Sequence, residues 1–120
     1  MKIEVSNGEI VDKLTILQIK LERITDAGKL SNVQKEFDTL DPIVKQIISR
    51  DNPLYQALYK INCELWEIED RIRELEDVKN FGDEFIQTAR AVYITNDKRA
   101  ALKWDINKQT NSNLFEEKSY

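Results

Sequence analysis

Between Leu54 and Leu75 the apolar residues Leu54, Leu58, Ile61, Leu65, Ile68, Ile72 and Leu75 recur in alternating steps of four and three. That spacing keeps one face of an α-helix apolar for about three heptads, and a strand cannot produce it. The same rhythm runs through Ile10, Leu14, Leu17, Leu21 and Ile24, and again through Val33, Phe37, Leu40, Val44 and Ile47. A last segment carries Phe85, Ile86, Ala89, Val92 and Tyr93 on one face. Four amphipathic stretches joined by short connections predict an all-α antiparallel bundle of about four long helices with coiled-coil-like packing.

Local signals set the expected boundaries. Ser6 and Glu9 form a capping box, with Val5 and Ile10 as a hydrophobic staple, after an extended lead-in over residues 1–5. Gly28 suits a left-handed stop to the first helix, and Ser31 with Gln34 makes a second capping box. Pro42 predicts a kink, or a restart capped by Asp41; Asn52-Pro53 is a start signal for the third helix. Ile16 and Ile19 project away from the first stripe, so that helix is buried on a second side, against either another core element or another subunit. Tyr55, Tyr59, Asn62, Trp66 and Arg73 make a flanking row, either a contact for a third neighbour or a ligand wall. The last segment has two readings. Continued as one helix, it brings Asn96, Ala100, Lys103 and Asn107 onto the inner face, where polar groups must be paired; broken, it restarts at Thr95-Asn96-Asp97.

Composition narrows the classes. The chain has 120 residues, 41% hydrophobic and 33% charged, with 3 Gly and 2 Pro, which suits one helical domain over 1–120. A net charge of −4 argues against a nucleic-acid partner, because phosphates call for a basic surface. No run is apolar enough to span a bilayer, the opening Met1–Val5 lacks the run of a secretory leader, and one cysteine allows no internal disulfide. These features predict a cytoplasmic protein without a membrane partner. With no histidine, a serine–histidine triad is impossible and no zinc site of the usual kind is expected, so no metal or cofactor is assigned.

Charge is unevenly placed. From Glu64 to Asp77 seven acidic residues meet two arginines, whereas from Gln87 to Thr110 five basic residues meet two acidic ones. The two stretches are complementary, within one chain or between chains. Glu64, Glu67 and Asp70 have the spacing that holds Mg²⁺ on a helix, but they rotate off the apolar stripe and read as a solvated face. Lys13 and Lys20 beside the first stripe could face Arg90, Asn96, Arg99 and Lys103 across a cleft. That set would suit a small anion or a metal-free isomerase reaction driven by charge complementarity. Otherwise their long stems cover apolar surface.

Three blocks carry a family resemblance: Gly8–Leu17 with Ile19–Ile24, Tyr93 with Thr95–Lys103, and Glu116–Tyr120. Together they resemble a family of short proteins of unknown function from bacteria and their viruses. The resemblance covers the whole chain, least closely over residues 32–62, and brings no catalytic assignment. It directs attention to Asp12, Lys13, Lys20, Arg23, Asn96, Asp97, Arg99, Lys103 and the tail Glu116, Glu117, Lys118 and Tyr120. Trp104 stands where the family pattern carries a charge. The tail match implies that residues 111–120 dock on the bundle, the charged residues on the basic last helix and Tyr120 as an aromatic anchor. Two function classes follow. One is a homo-oligomeric interaction module with a protein partner; the other is a small all-α enzyme or anion binder using the first and last helices.

Overall fold

The computed structural model describes residues 1–119, which form four helices: α1 (Asn7–Arg23), α2 (Ala27–Ile47), α3 (Pro53–Asp77) and α4 (Asp83–Gln109). α1 is the hub and packs against all three others; α3 and α4 form a long hairpin, and α2 lies against α1. Val11 and Leu14 of α1, Val44 of α2, Ile48 after it, Tyr55 and Leu58 of α3 and Ile106 of α4 make one buried cluster. The architecture is the expected all-α bundle. Among the described residues no helix is long and apolar enough to cross a membrane.

The central position of α1 settles its second face. Ile19 is 1% exposed and Ile16 half-buried, so the face opposite the first stripe is core rather than a subunit contact. The flanking row of α3 supplies much of the neighbour. Tyr55 donates to Gln18 Oε1 at 3.0 Å, Tyr59 to Glu22 Oε2 at 2.6 Å, and Arg23 sits 6.0 Å from the centre of the Trp66 ring. The row is a helix contact. Arg73 stays exposed beside Glu69.

Two boundaries differ from expectation. α1 ends at Arg23, not at Gly28, because Ile24 turns into extended backbone and Asp26 caps α2 by accepting from the Lys29 amide at 2.9 Å. An aspartate in extended conformation satisfies a first-turn amide wherever the chain turns, so the Ser31–Gln34 box goes unused and Gln34 bonds Asp38 instead. Gly28 falls in the first turn of α2, and no glycine uses a positive φ. α2 also runs through Pro42 without a restart; Asp41, expected as a cap, instead accepts from Arg50 at 2.7 Å and pairs with Lys45 at 3.1 Å. Burial would raise the Asp41 carboxyl, but these two cations outweigh it and hold the group below 3.8. Asn52-Pro53 opens α3 as read, with Asn52 accepting from the Leu54 amide at 2.9 Å.

α4 is continuous through Thr95–Asp97. Its polar inner residues must therefore find partners, and those partners build the site.

Candidate functional site

The first turn of a helix leaves four backbone amides without intrahelical acceptors. In α1 those of Asn7, Gly8 and Glu9 are engaged, two of them by the far end of the chain, and Ile10 makes the first bond of the helix itself. Asn7 donates to Ser112 Oγ at 2.9 Å and Gly8 to Asn107 Oδ1 at 2.5 Å. Glu9 donates to Ser6 Oγ at 3.1 Å, and Ile10 to the Ser6 carbonyl at 3.3 Å. The Asn7 side chain reaches Thr110 Oγ1 at 3.0 Å, and Ser112 donates onward to the Leu114 carbonyl at 2.8 Å. Gly8 is required here because α4 crosses too close for a side chain. A Cβ at Gly8 would run into the Lys103 carbonyl oxygen and lie 2.9 Å from Asn107 Oδ1.

One turn further along α1, Asp12 is 1% exposed and faces both α3 and α4. Arg99 grips it with two parallel bonds, Nε to Oδ1 at 2.9 Å and Nη2 to Oδ2 at 2.5 Å. Asn62 donates to Asp12 Oδ1 at 2.9 Å and to Thr15 Oγ1 at 2.8 Å, and Thr15 donates to the Asp12 carbonyl at 2.7 Å. A bidentate arginine fork plus an amide donor satisfies a buried carboxylate, which alone would be costly to desolvate. The hydrogen bonds and charge of Asp12 raise the pKa of Arg99 despite its partial burial.

Outward of this pair, Lys103 donates to Glu9 Oε2 at 2.6 Å and lies 3.7 Å from Glu116. Glu9 thus leaves the reciprocal half of the capping box and turns to α4. Burial alone would raise the Glu9 carboxyl. Its hydrogen bond with Lys103, and the charges of Lys103 and Arg99, outweigh that and hold it below 4.5. The tail runs back along α4: Glu116 accepts from Ser6 at 3.4 Å, Glu117 from Trp104 Nε1 at 3.1 Å, and Asp97 accepts from Lys118 at 2.9 Å. The Phe115 ring lies 5.5 Å from that of Trp104. Tyr120, expected as the anchor, lies outside the described residues. Beside the seam is an open cleft of about 350 Å³ bordered by Tyr93, Asn96, Arg99, Lys103 and Lys118.

The candidate residues therefore divide. Asp12, Asn96, Asp97, Arg99, Lys103, Glu116, Glu117 and Lys118 gather along one edge of α4. Lys13 is exposed on the opposite groove, 3.5 Å from Glu36 of α2. Lys20 makes no ion pair among the described residues; Arg23 pairs with Glu67 at 3.4 Å, and Arg90 is exposed on the hairpin. Lys13 is taken up by Glu36 of α2, and neither Lys13 nor Lys20 borders the cleft beside Arg99 and Lys103. Nor, among the described residues, do the inner cations of α4 form ion pairs with the acidic row of α3: Arg99 and Lys103 pair with α1, Glu69 acts on Arg99 only through its charge, and an α3–α4 ion pair runs the other way, from Arg71 to Glu84.

Ser6, Asn7, Gly8, Thr15, Asn62, Thr110 and Ser112 were not singled out as site residues. Asn62 and Asn107 left a usable signal, Asn62 as an amide among the aromatic residues of the α3 row and Asn107 as a polar group on the inner face of a continuous α4. A buried amide at such a position points at a polar group on a neighbouring helix.

The chain belongs to a family of unknown function, DUF6165, whose family model matches residues 1–120. Among curated proteins and among solved structures none matches it.

Proposed function

We propose that this chain is a cytoplasmic helical assembly module that works by self-association into a homo-oligomer. The observation that carries the reading is the charge state of the α1–α4 seam. Three cations, Arg99, Lys103 and Lys118, are met by the chain's own carboxylates Asp12, Glu9, Glu116 and Asp97. An incoming anion would have to displace an internal partner, so the seam serves to fix α4 and the tail on α1. Apolar side chains are left outside instead: Val78, Phe81, Ile86, Tyr93 and Ile94, on and around the α3–α4 hairpin, are all exposed. A cytoplasmic location accords with the single, unpaired Cys63.

Light scattering after size exclusion tests the reading. A mass above 14.1 kDa that falls on dilution is expected; a strict monomer at every concentration overturns it. A second reading, a small-anion binder, rests on the cleft beside Arg99 and Lys103. It requires a thermal shift with phosphate or a dicarboxylate that Lys103→Ala abolishes.

A further inference from the structure

The α3–α4 hairpin outruns the rest of the bundle. The last side-chain contacts from α1 to α3 are those of Arg23 with Trp66 and Glu67. Past that point the two helices have only each other, and Ile68, Ile72, Phe85 and Val92 stay half-exposed. One side of this arm is an open groove of about 480 Å³, with Ile68 and Ala91 among its lining, Glu64 and Glu67 on its α3 wall, and Arg71 of α3 paired with Glu84 of α4 across it. A two-helix hairpin buries apolar stripes on one side only, so the groove has the shape of a missing third helix.

The chemistry of the occupant is written on the same arm. Along α4, Ala91, Ile94 and Lys98 step by three and four and so share the edge that borders the groove. Ile94 is 41% exposed. Arg90 and Lys98 are exposed and make no ion pair among the described residues, and the same holds for Glu64 and Asp70 on α3. With Arg71 and Glu84 satisfied by each other, the charges left over are basic on α4, at Arg90 and Lys98, and acidic on α3, at Glu64 and Asp70. Each completes the other.

From this, and resting on the self-association reading above, we infer that the groove takes α4 of a second copy, the two arms packing antiparallel into a four-helix bundle. The contact is isologous: each copy gives its Ile94–Lys98 edge and receives the other's, so the assembly closes as a dimer. Arg90 and Lys98 then lie against the acidic row of the other α3, and Ile94 meets Ile68 and Ala91.

Light scattering on the full chain and on surface variants tests this. The wild type is expected at about twice 14.1 kDa. Ile94→Glu should bring the monomer mass with unchanged far-UV circular dichroism, whereas Ile43→Glu, at an exposed isoleucine of α2, should leave the dimer intact. Lys98→Glu and Glu64→Lys should each weaken it roughly tenfold. Mixed together, these two variants should recover a heterodimer, since each supplies the charge that the other lacks. An oligomer that Ile94→Glu leaves at full mass overturns the arm interface while self-association stands. A wild-type monomer at all concentrations overturns both.

Discussion

Gly8 and Asp12 show how single positions on α1 admit α4. The Gly8 backbone touches the α4 backbone, and backbone cannot move aside as a flexible side chain can. Gly8→Ala should therefore cost about 2 kcal/mol, in the range of overpacking a filled site, despite alanine's better helix propensity. A drop in urea midpoint at constant slope would register it; an unchanged midpoint would mean that the two helices can part at no cost. Asp12 poses the opposite problem, a charge that must not lose its partner. Asp12→Ala strands the half-buried Arg99 fork and the Asn62 amide, at a cost of ~3 kcal/mol, the low end for a broken buried pair because Arg99 keeps some solvent. Arg99→Ala should cost a similar amount. The double variant should be far less than additive, and simple additivity in the cycle would show that the two residues do not act together.

At the scale of elements, the seam between α1 and α4 has a pH dependence with a definite sign. Burial works against the charged form of Glu9, but the Lys103 ammonium hydrogen-bonded to it outweighs that and holds the carboxyl below 4.5 in the folded chain. A depressed carboxylate contributes stability that is complete above the unfolded value and lost as pH falls through the folded one. Urea midpoints should fall below about pH 4.5, and Glu9→Gln should flatten that part of the profile; a parallel acid limb in Glu9→Gln would place the loss elsewhere. Within α2, Pro42 withholds a donor from the preceding turn without ending the helix. Pro42→Ala should thus stabilise by about 1 kcal/mol, the restored bond outweighing the looser unfolded chain, and a lower melting temperature would contradict this. These elements also mark what was legible in the sequence. The stripe of α3, the Asn52-Pro53 start and the Ser6 cap are local signals, each decided within one or two turns. The start of α2 was not, because Asp26 and Ser31 are equally good caps and only the path of the chain selects between them. The site was legible where an amide sat among aromatic residues, as at Asn62, or where a continuous helix forced polar groups inward, as at Asn107. It was illegible at Asn7 and Ser112, whose partners are supplied by segments about a hundred residues away.

The molecule as a whole is less compact than its length requires. Its radius of gyration is 15.9 Å, against roughly 13–14 Å for a compact domain of this size. The excess fits the arm, where α3 and α4 continue beyond the reach of α1. Few apolar contacts and much solvent-facing backbone mean that such a segment opens locally at a lower free energy than the hub. Amides of Ile68–Ala91 should exchange faster than those of Val11–Leu17, which are tied into the core and held at both ends of the chain. The arm interface adds a second, separable condition. If a second copy fills the groove, protection along Gln87–Lys98 should rise with protein concentration while protection in α1 stays fixed, because mass action stabilises only what binding covers. Concentration-independent exchange throughout, in a sample that light scattering reports as dimeric, would place the contact away from the arm. A uniform rise in α1 and the arm together would mean that the dimer stabilises the whole fold, and would show the arm to have no opening of its own.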